Sequence, residues 1–60
     1  MTPQDVEAIY EALARKIDAI APDQTEPFLA KLALLLAYDC ADVARVQRRI
    51  DEAALNLDHP

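Results

Sequence analysis

The sequence predicts an all-α fold: a small three-helix bundle, or a helical hairpin with a long second helix, completed by oligomerisation or by a partner chain. Three observations favour this fold. The 60 residues include no glycine and only four prolines, at positions 3, 22, 27 and 60, so long stretches are free to be helical. Apolar residues recur at spacings of three and four, the period of a helix face. A chain of this length forms at most one domain, so we expect a single helical domain over residues 1–60.

The first helix is predicted over residues 3–20. Thr2 is a favourable N-cap, Pro3 suits the first helical position, and Asp5 places an acid three residues after the cap. Pro22 ends the helix because its ring cannot continue the hydrogen-bond pattern. The apolar stripe of this helix consists of Val6, Ile9, Leu13, Ile17 and Ile20.

The second helix is predicted over residues 26–39. Thr25 is favoured over Asp23 as its N-cap, because Pro27 then lies in the first turn, where its missing N–H costs least. Between residues 28 and 38 only Lys31 is polar. A helix that is hydrophobic all round is normally enclosed on every side, and two further helices cannot enclose it. We therefore expect another chain to cover part of its surface.

The third helix is predicted over residues 43–57, followed by a tail at 58–60. Asp39 and Asp42 are poor helix formers that favour caps, so they predict a break with Asp42 as the N-cap of the third helix. Without that break, the second helix would continue to about residue 57.

The candidate interface follows from this surplus of apolar residues. A 60-residue domain is marginally stable alone, and a single cysteine, Cys40, cannot form an intramolecular disulfide. Apolar surface buried between chains would supply the missing stability. The residues assigned to a partner interface are Phe28, Leu34, Leu35, Tyr38 and Leu55.

Charge and hydropathy exclude several classes of function. A net charge of −5 and a pI near 4.5 argue against binding to nucleic acid or to an anionic membrane surface. The apolar run at residues 28–38 has 11 residues, whereas a membrane span needs about 20. The first twenty residues contain Asp5, Glu7 and Glu11 where a signal peptide would be basic and then apolar. We therefore expect a cytoplasmic protein with a reduced cysteine.

Cys40 is the first candidate for chemistry, since it lies between Asp39 and Asp42. A reactive thiolate needs positive charge or a helix N-terminus beside it, and two carboxylates provide the opposite. We interpret Cys40 as a small core residue and the two aspartates as capping groups.

The other candidates for chemistry are weaker. His59 is next to the chain end with no nucleophile in a fixed geometry, and the Glu7 and Glu11 pair lacks the Glu-x-x-His partners of a di-metal bundle. The sequence therefore predicts no catalytic residue, no metal, no cofactor and no small-molecule ligand.

Three of the six basic residues are concentrated at Arg45, Arg48 and Arg49. Guanidinium groups in such a cluster can bind an acidic protein surface or a phosphate bidentately. Asp51 and Glu52 lie close enough to compensate them, so a mixed, solvated helix face is the preferred interpretation.

Several segments resemble a bacterial family of short proteins, domain of unknown function 2783. That family has a Tyr-Glu-x-Leu helix, a Leu-rich helix running into Asn-His-x-Gly-Asp, and an Ala-rich last helix. The similar segments here are Ile-Tyr-Glu-Ala-Leu at 9–13, Leu-Ala-Leu-Leu-Leu-Ala at 32–37, and Asp42, within a match over about residues 5–57. The chain departs from the motif at Tyr38, Asp39 and Ala41, where the family has Asn, His and Gly.

The resemblance implies a helical accessory protein, in a family often encoded near flavin-dependent aromatic hydroxylases and other aromatic-degradation enzymes. Our leading expectation is a non-catalytic interaction protein, either an accessory or stabilising subunit of a larger enzyme of that kind or a self-assembling helical oligomer. The alternative is a regulatory adaptor or antitoxin-type module that uses Arg45, Arg48 and Arg49. An enzyme that uses Cys40 is the least favoured hypothesis.

Overall fold

A computed structural model describes residues 1–57 of the chain. In this part the protein forms three α-helices and no strand: α1 (Pro3–Ala19), α2 (Thr25–Cys40) and α3 (Val43–Ala54), with a 3-10 turn at Pro22–Gln24 before α2. The predicted all-α fold is confirmed, in its form with three separate helices.

The start of α1 is fixed by a reciprocal pair of hydrogen bonds. The Asp5 backbone N–H donates to the Thr2 hydroxyl oxygen at 3.1 Å, and the Thr2 backbone N–H donates to the Asp5 carboxylate at 3.0 Å. This capping box satisfies two N–H groups that have no partner inside the helix. Hydrogen bonding to Thr2 holds the pKa of the Asp5 carboxyl below its usual value of 3.8. The bond from the Thr2 backbone N–H has the larger effect, and the Thr2 side chain has the smaller one. The predicted cap and the Pro3 start are confirmed.

The start of α2 differs from the prediction. Thr25 already has helical dihedral angles (φ −62°, ψ −47°), so the prediction that it is the N-cap is wrong. The reason is the 3-10 turn, which begins after Ala21 and runs directly into the helix. The non-helical residue that precedes the whole segment is therefore Ala21, which forms no side-chain cap.

The break between α2 and α3 is confirmed at the predicted place. Ala41 has a positive φ of 57°, and Asp42 is extended. The Asp42 carboxylate accepts a hydrogen bond from the Arg45 backbone N–H at 3.1 Å, as an N-cap does. The two helices are therefore separated by two non-helical residues.

The end of α3 comes three residues earlier than predicted. The helix stops at Ala54, Leu55 is extended, and Asn56 has a positive φ of 61°. Asparagine tolerates the left-handed region better than most non-glycine residues, so it terminates the helix in a chain that has no glycine. The predicted tail at 58–60 lies outside the described residues.

The chain divides into two compact units, Met1–Ala30 and Lys31–Pro60. None of the residues 1–57 is fully buried, and the best-covered residues of each unit are only half-buried. In the first unit the half-buried positions are Leu13, Ile17, Ile20, Thr25 and Phe28, and in the second they are Leu32, Ala37 and Val46.

Candidate functional site

The most prominent surface of the second unit is an apolar strip on α2, formed by Lys31, Leu34, Leu35 and Tyr38. These residues are spaced i, i+3, i+4 and i+7, which places them in one row along the helix. Tyr38 is 86% exposed, Leu34 73% and Leu35 66%. Three large apolar side chains in one exposed row form the arrangement that a helix uses to dock into a groove on a partner.

The two faces of α2 differ in burial although both are apolar. Leu32 is half-buried, whereas Leu34 and Tyr38 are largely exposed. Since successive helical residues are 100° apart, Leu32 lies on the side of α2 away from Leu34. One side of α2 is therefore partly covered at Leu32, and the α2 strip is open.

A groove of about 550 Å³ lies beside the end of the α2 strip. The turn at Ala41 and Asp42 creates it, because that turn directs the chain out of α2 and into α3. The groove is open to solvent and mostly apolar, so it extends the exposed apolar surface around Tyr38. Its lining residues are Ala37, Tyr38, Ala41, Asp42, Val43, Val46 and Gln47.

The five residues predicted for the partner interface fall into three places. Leu34, Leu35 and Tyr38 lie together in the α2 strip, Phe28 is half-buried in the first unit, and Leu55 is exposed after the end of α3. Sequence reasoning missed Lys31, which lies in the same row. The i, i+3, i+4, i+7 spacing from residue 31 to 38 was the signal that identifies it. It also missed the groove, which depends on the turn.

The arginine cluster is partly compensated, as the sequence indicates. Arg49 donates from its guanidinium to the Glu52 carboxylate at 2.8 Å, and both side chains are more than half exposed. Arg45 uses its backbone N–H for the Asp42 cap, which leaves its guanidinium out of that bond. In the described part of the chain, the second ion pair joins Arg15 to Glu11 at 4.0 Å, within α1.

The candidates for chemistry are placed as follows. Cys40 is exposed, so the prediction that it is a small core residue is wrong. It is the last residue of α2, where the chain leaves the helix and nothing covers the side chain. His59 lies outside the described residues. Residues 1–57 contain no group of three or more metal-ligating side chains arranged to hold a metal ion.

None of the helices within residues 1–57 is both long enough and apolar enough to span a bilayer. No family model, no curated protein and no solved structure matches the chain significantly. The resemblance to the domain of unknown function 2783 family therefore stays a prediction.

Proposed function

We propose that this chain is a non-catalytic interaction protein whose α2 strip docks against another protein surface. The observation that carries the proposal is the exposure of Leu34, Leu35 and Tyr38 in one row of α2. Scattered exposed leucines are ordinary on protein surfaces. A row of three large apolar side chains with a groove at its end is far less common on a monomer, and it supports an interaction site here.

The energetics support docking. Full burial of one leucine side chain contributes about 1.5–3 kcal/mol, so Leu34 and Leu35 together supply several kcal/mol toward association. Tyrosine is also enriched among the residues that dominate binding energies, because its ring buries a large area while its hydroxyl keeps a hydrogen-bond partner. Tyr38, the most exposed of the three and adjacent to the groove, is the anchor in this proposal.

In its narrower form, the proposal makes the chain an accessory or stabilising subunit of a larger cytoplasmic enzyme, or one protomer of a helical oligomer. The resemblance to domain of unknown function 2783 supports the first of these, with a flavin-dependent enzyme of aromatic degradation as the partner. The exposed apolar surface is compatible with either, because both bury the same strip.

The test compares wild-type chain with Leu34→Ala and Tyr38→Ala. Two associations are measured: self-association by sedimentation equilibrium, and binding to the proteins that co-purify with the chain from its native host. We expect each substitution to weaken at least one association by about tenfold or more, since a loss of about 1.4 kcal/mol corresponds to tenfold. Helix content by circular dichroism should stay unchanged, because both side chains are exposed.

Matched controls are Leu34→Met and Tyr38→Phe, which keep the apolar volume. They should associate like the wild type. If the alanine variants retain both associations at wild-type strength, the α2 strip is an ordinary solvated surface and the proposal is wrong.

A second candidate function is a regulatory adaptor or antitoxin-type module that binds an acidic target through Arg45 and Arg48. The observation that favours it is the arginine cluster on α3, in which only the Arg49 guanidinium has an ion-pair partner among the described residues. The two functions differ in salt dependence: binding through arginines weakens steeply with salt, whereas apolar packing does not. Binding of the host partner at low and high salt separates them.

A further inference from the structure

Lys31 is the only basic residue of α2, and it lies at the N-terminal end of the α2 strip. Together with Leu34, Leu35 and Tyr38 it lines a shallow groove of about 420 Å³ along the helix. The positions three and four residues away on either side of it are all apolar, so α2 offers its ammonium group no acidic neighbour. Both ion pairs found within residues 1–57 join other side chains. The positive charge at this end of the strip is therefore available to a partner.

The opposite end of the α2 strip is acidic. Asp39 directly follows Tyr38 in the last turn of α2, and Asp42 lines the groove beside Tyr38. That last turn contains no basic residue, so no side chain in it offsets the negative end of the helix dipole. Both aspartates are exposed. The Asp42 carboxylate accepts one bond from the Arg45 N–H and keeps capacity for further donors.

A surface with a cation at one end and anions at the other complements a second copy of itself when the two helices run antiparallel. Lys31 of each chain then lies against Tyr38 of the other, and the leucines at the centre of the strip meet around a two-fold axis. An ammonium group over a tyrosine ring is itself favourable. A parallel pair would instead bring two Lys31 ammonium groups together in apolar surroundings, which is unfavourable. Charge therefore selects the antiparallel arrangement.

The direction of the Lys31 side chain fits this arrangement. Side chains on an α-helix lean toward the N-terminus of their own helix. In an antiparallel pair that direction is toward the C-terminal end of the other helix, so Lys31 leans past Tyr38 of the second copy toward its two aspartates. Asp39 lies about 1.5 Å further along the helix axis than Tyr38, at the edge of the strip, about 80° round the helix from the Lys31 position. The flexible four-carbon stem of lysine lets the ammonium group adjust to such a position.

We propose that a second copy of this chain covers the α2 strip, in an antiparallel two-fold pair in which Lys31 of each chain binds the acidic end of the other. This inference rests on the proposed function, because it names the partner of the same strip. It uses only residues 31–42, which belong to one compact unit. The pairing therefore depends on charge as well as on apolar area.

The test uses two variants with reversed charge, Lys31→Glu and Asp39→Lys. In a homodimer of either variant, both ends of the interface combine like charges. We expect each variant to dimerise at least about tenfold more weakly than the wild type in sedimentation equilibrium at low salt, because the charge pair occurs twice and changes from attractive to repulsive. Helix content by circular dichroism should stay unchanged, since both side chains are exposed.

An equimolar mixture of the two variants separates this pairing from general destabilisation. In the mixed dimer, each end of the interface again combines a cation with an anion, so we expect the mixture to associate more strongly than either variant alone. The matched control is Arg48→Glu, which also reverses a base to an acid. Arg48 lies on the side of α3 away from Val43 and Val46, which line the groove, so this variant should dimerise like the wild type.

Three results would overturn the inference: a wild-type chain that stays monomeric and helical at every concentration, a Lys31→Glu dimer as tight as the wild type, or a mixture that associates no better than its components. The proposed function is tested separately, by the effect of Leu34→Ala and Tyr38→Ala on binding to host proteins. A monomeric wild type that binds a host protein through the α2 strip would refute the second copy and leave the proposed function standing. The two failures are therefore distinguishable.

Discussion

Replacing Ala41 with glycine should stabilise the protein. Ala41 follows the last residue of α2 with a φ of 57°, and its backbone N–H donates to the Ala37 carbonyl at 3.0 Å. The left-handed region costs a non-glycine residue about 1–2 kcal/mol because Cβ approaches the following carbonyl oxygen. Glycine removes that cost but loses about 0.4–1 kcal/mol through the greater freedom of the unfolded chain. The net expectation for Ala41→Gly is a gain of about 1 kcal/mol.

The assay is thermal unfolding followed by circular dichroism, with all variants at one fixed protein concentration because association contributes to the apparent stability. A gain of about 1 kcal/mol corresponds to a rise in Tm of about 4–8 °C for a domain of this size. The matched control is Ala33→Gly in the middle of α2, where the same substitution should destabilise by about 1 kcal/mol.

The two glycine variants are expected to change the Tm in opposite directions, so their comparison is decisive. If Ala41→Gly lowers the Tm as much as Ala33→Gly does, residue 41 is helical in solution. The α2 and α3 helices would then be continuous, and the groove beside Tyr38 would not exist.

Two further predictions concern the helix caps. Asp42→Ala should destabilise the protein by about 1 kcal/mol in urea unfolding, because the Arg45 N–H loses its acceptor. Asp42→Asn should cost little stability, because asparagine is also a good N-cap. Equal losses of stability for both variants would contradict a capping role. The pKa of the Asp5 carboxyl is lowered in the folded state. The ionised carboxyl therefore stabilises α1 fully when the pH is above the unfolded pKa of 3.8, and this stabilisation is lost as the pH falls through the folded pKa. Wild type should therefore be more helical than Asp5→Asn near neutral pH, and a difference that persists in strong acid would be inconsistent with this origin.

Much of the secondary structure could be predicted because its causes are local. The α1 start depends on Thr2 and Asp5, three residues apart, and the α3 start depends on Asp42 and its bond to the Arg45 N–H. Such caps act within one turn, so the residue order alone identifies them. Thr25 shows the limit of this reasoning, since a 3-10 turn before it changed its role.

The candidate site was predicted in part for the same reason. The apolar run of α2 identified Leu34, Leu35 and Tyr38 as surplus apolar residues, because their number exceeds what two neighbouring helices can cover. Phe28 belongs to the same run, yet it is half-buried in the first unit. Periodicity assigns a residue to a face of a helix, but it does not say which face its neighbours cover.

The sequence by itself determined three helices, the caps that start α1 and α3, and a surplus of apolar residues on α2. Only the tertiary structure decided that Leu32 is half-buried while Tyr38 is exposed, that Cys40 is exposed, and that the turn at Ala41 opens a groove. The physical reason is the range of the interactions. Caps and helical periodicity act over three or four residues, whereas burial depends on which distant segments pack against a side chain.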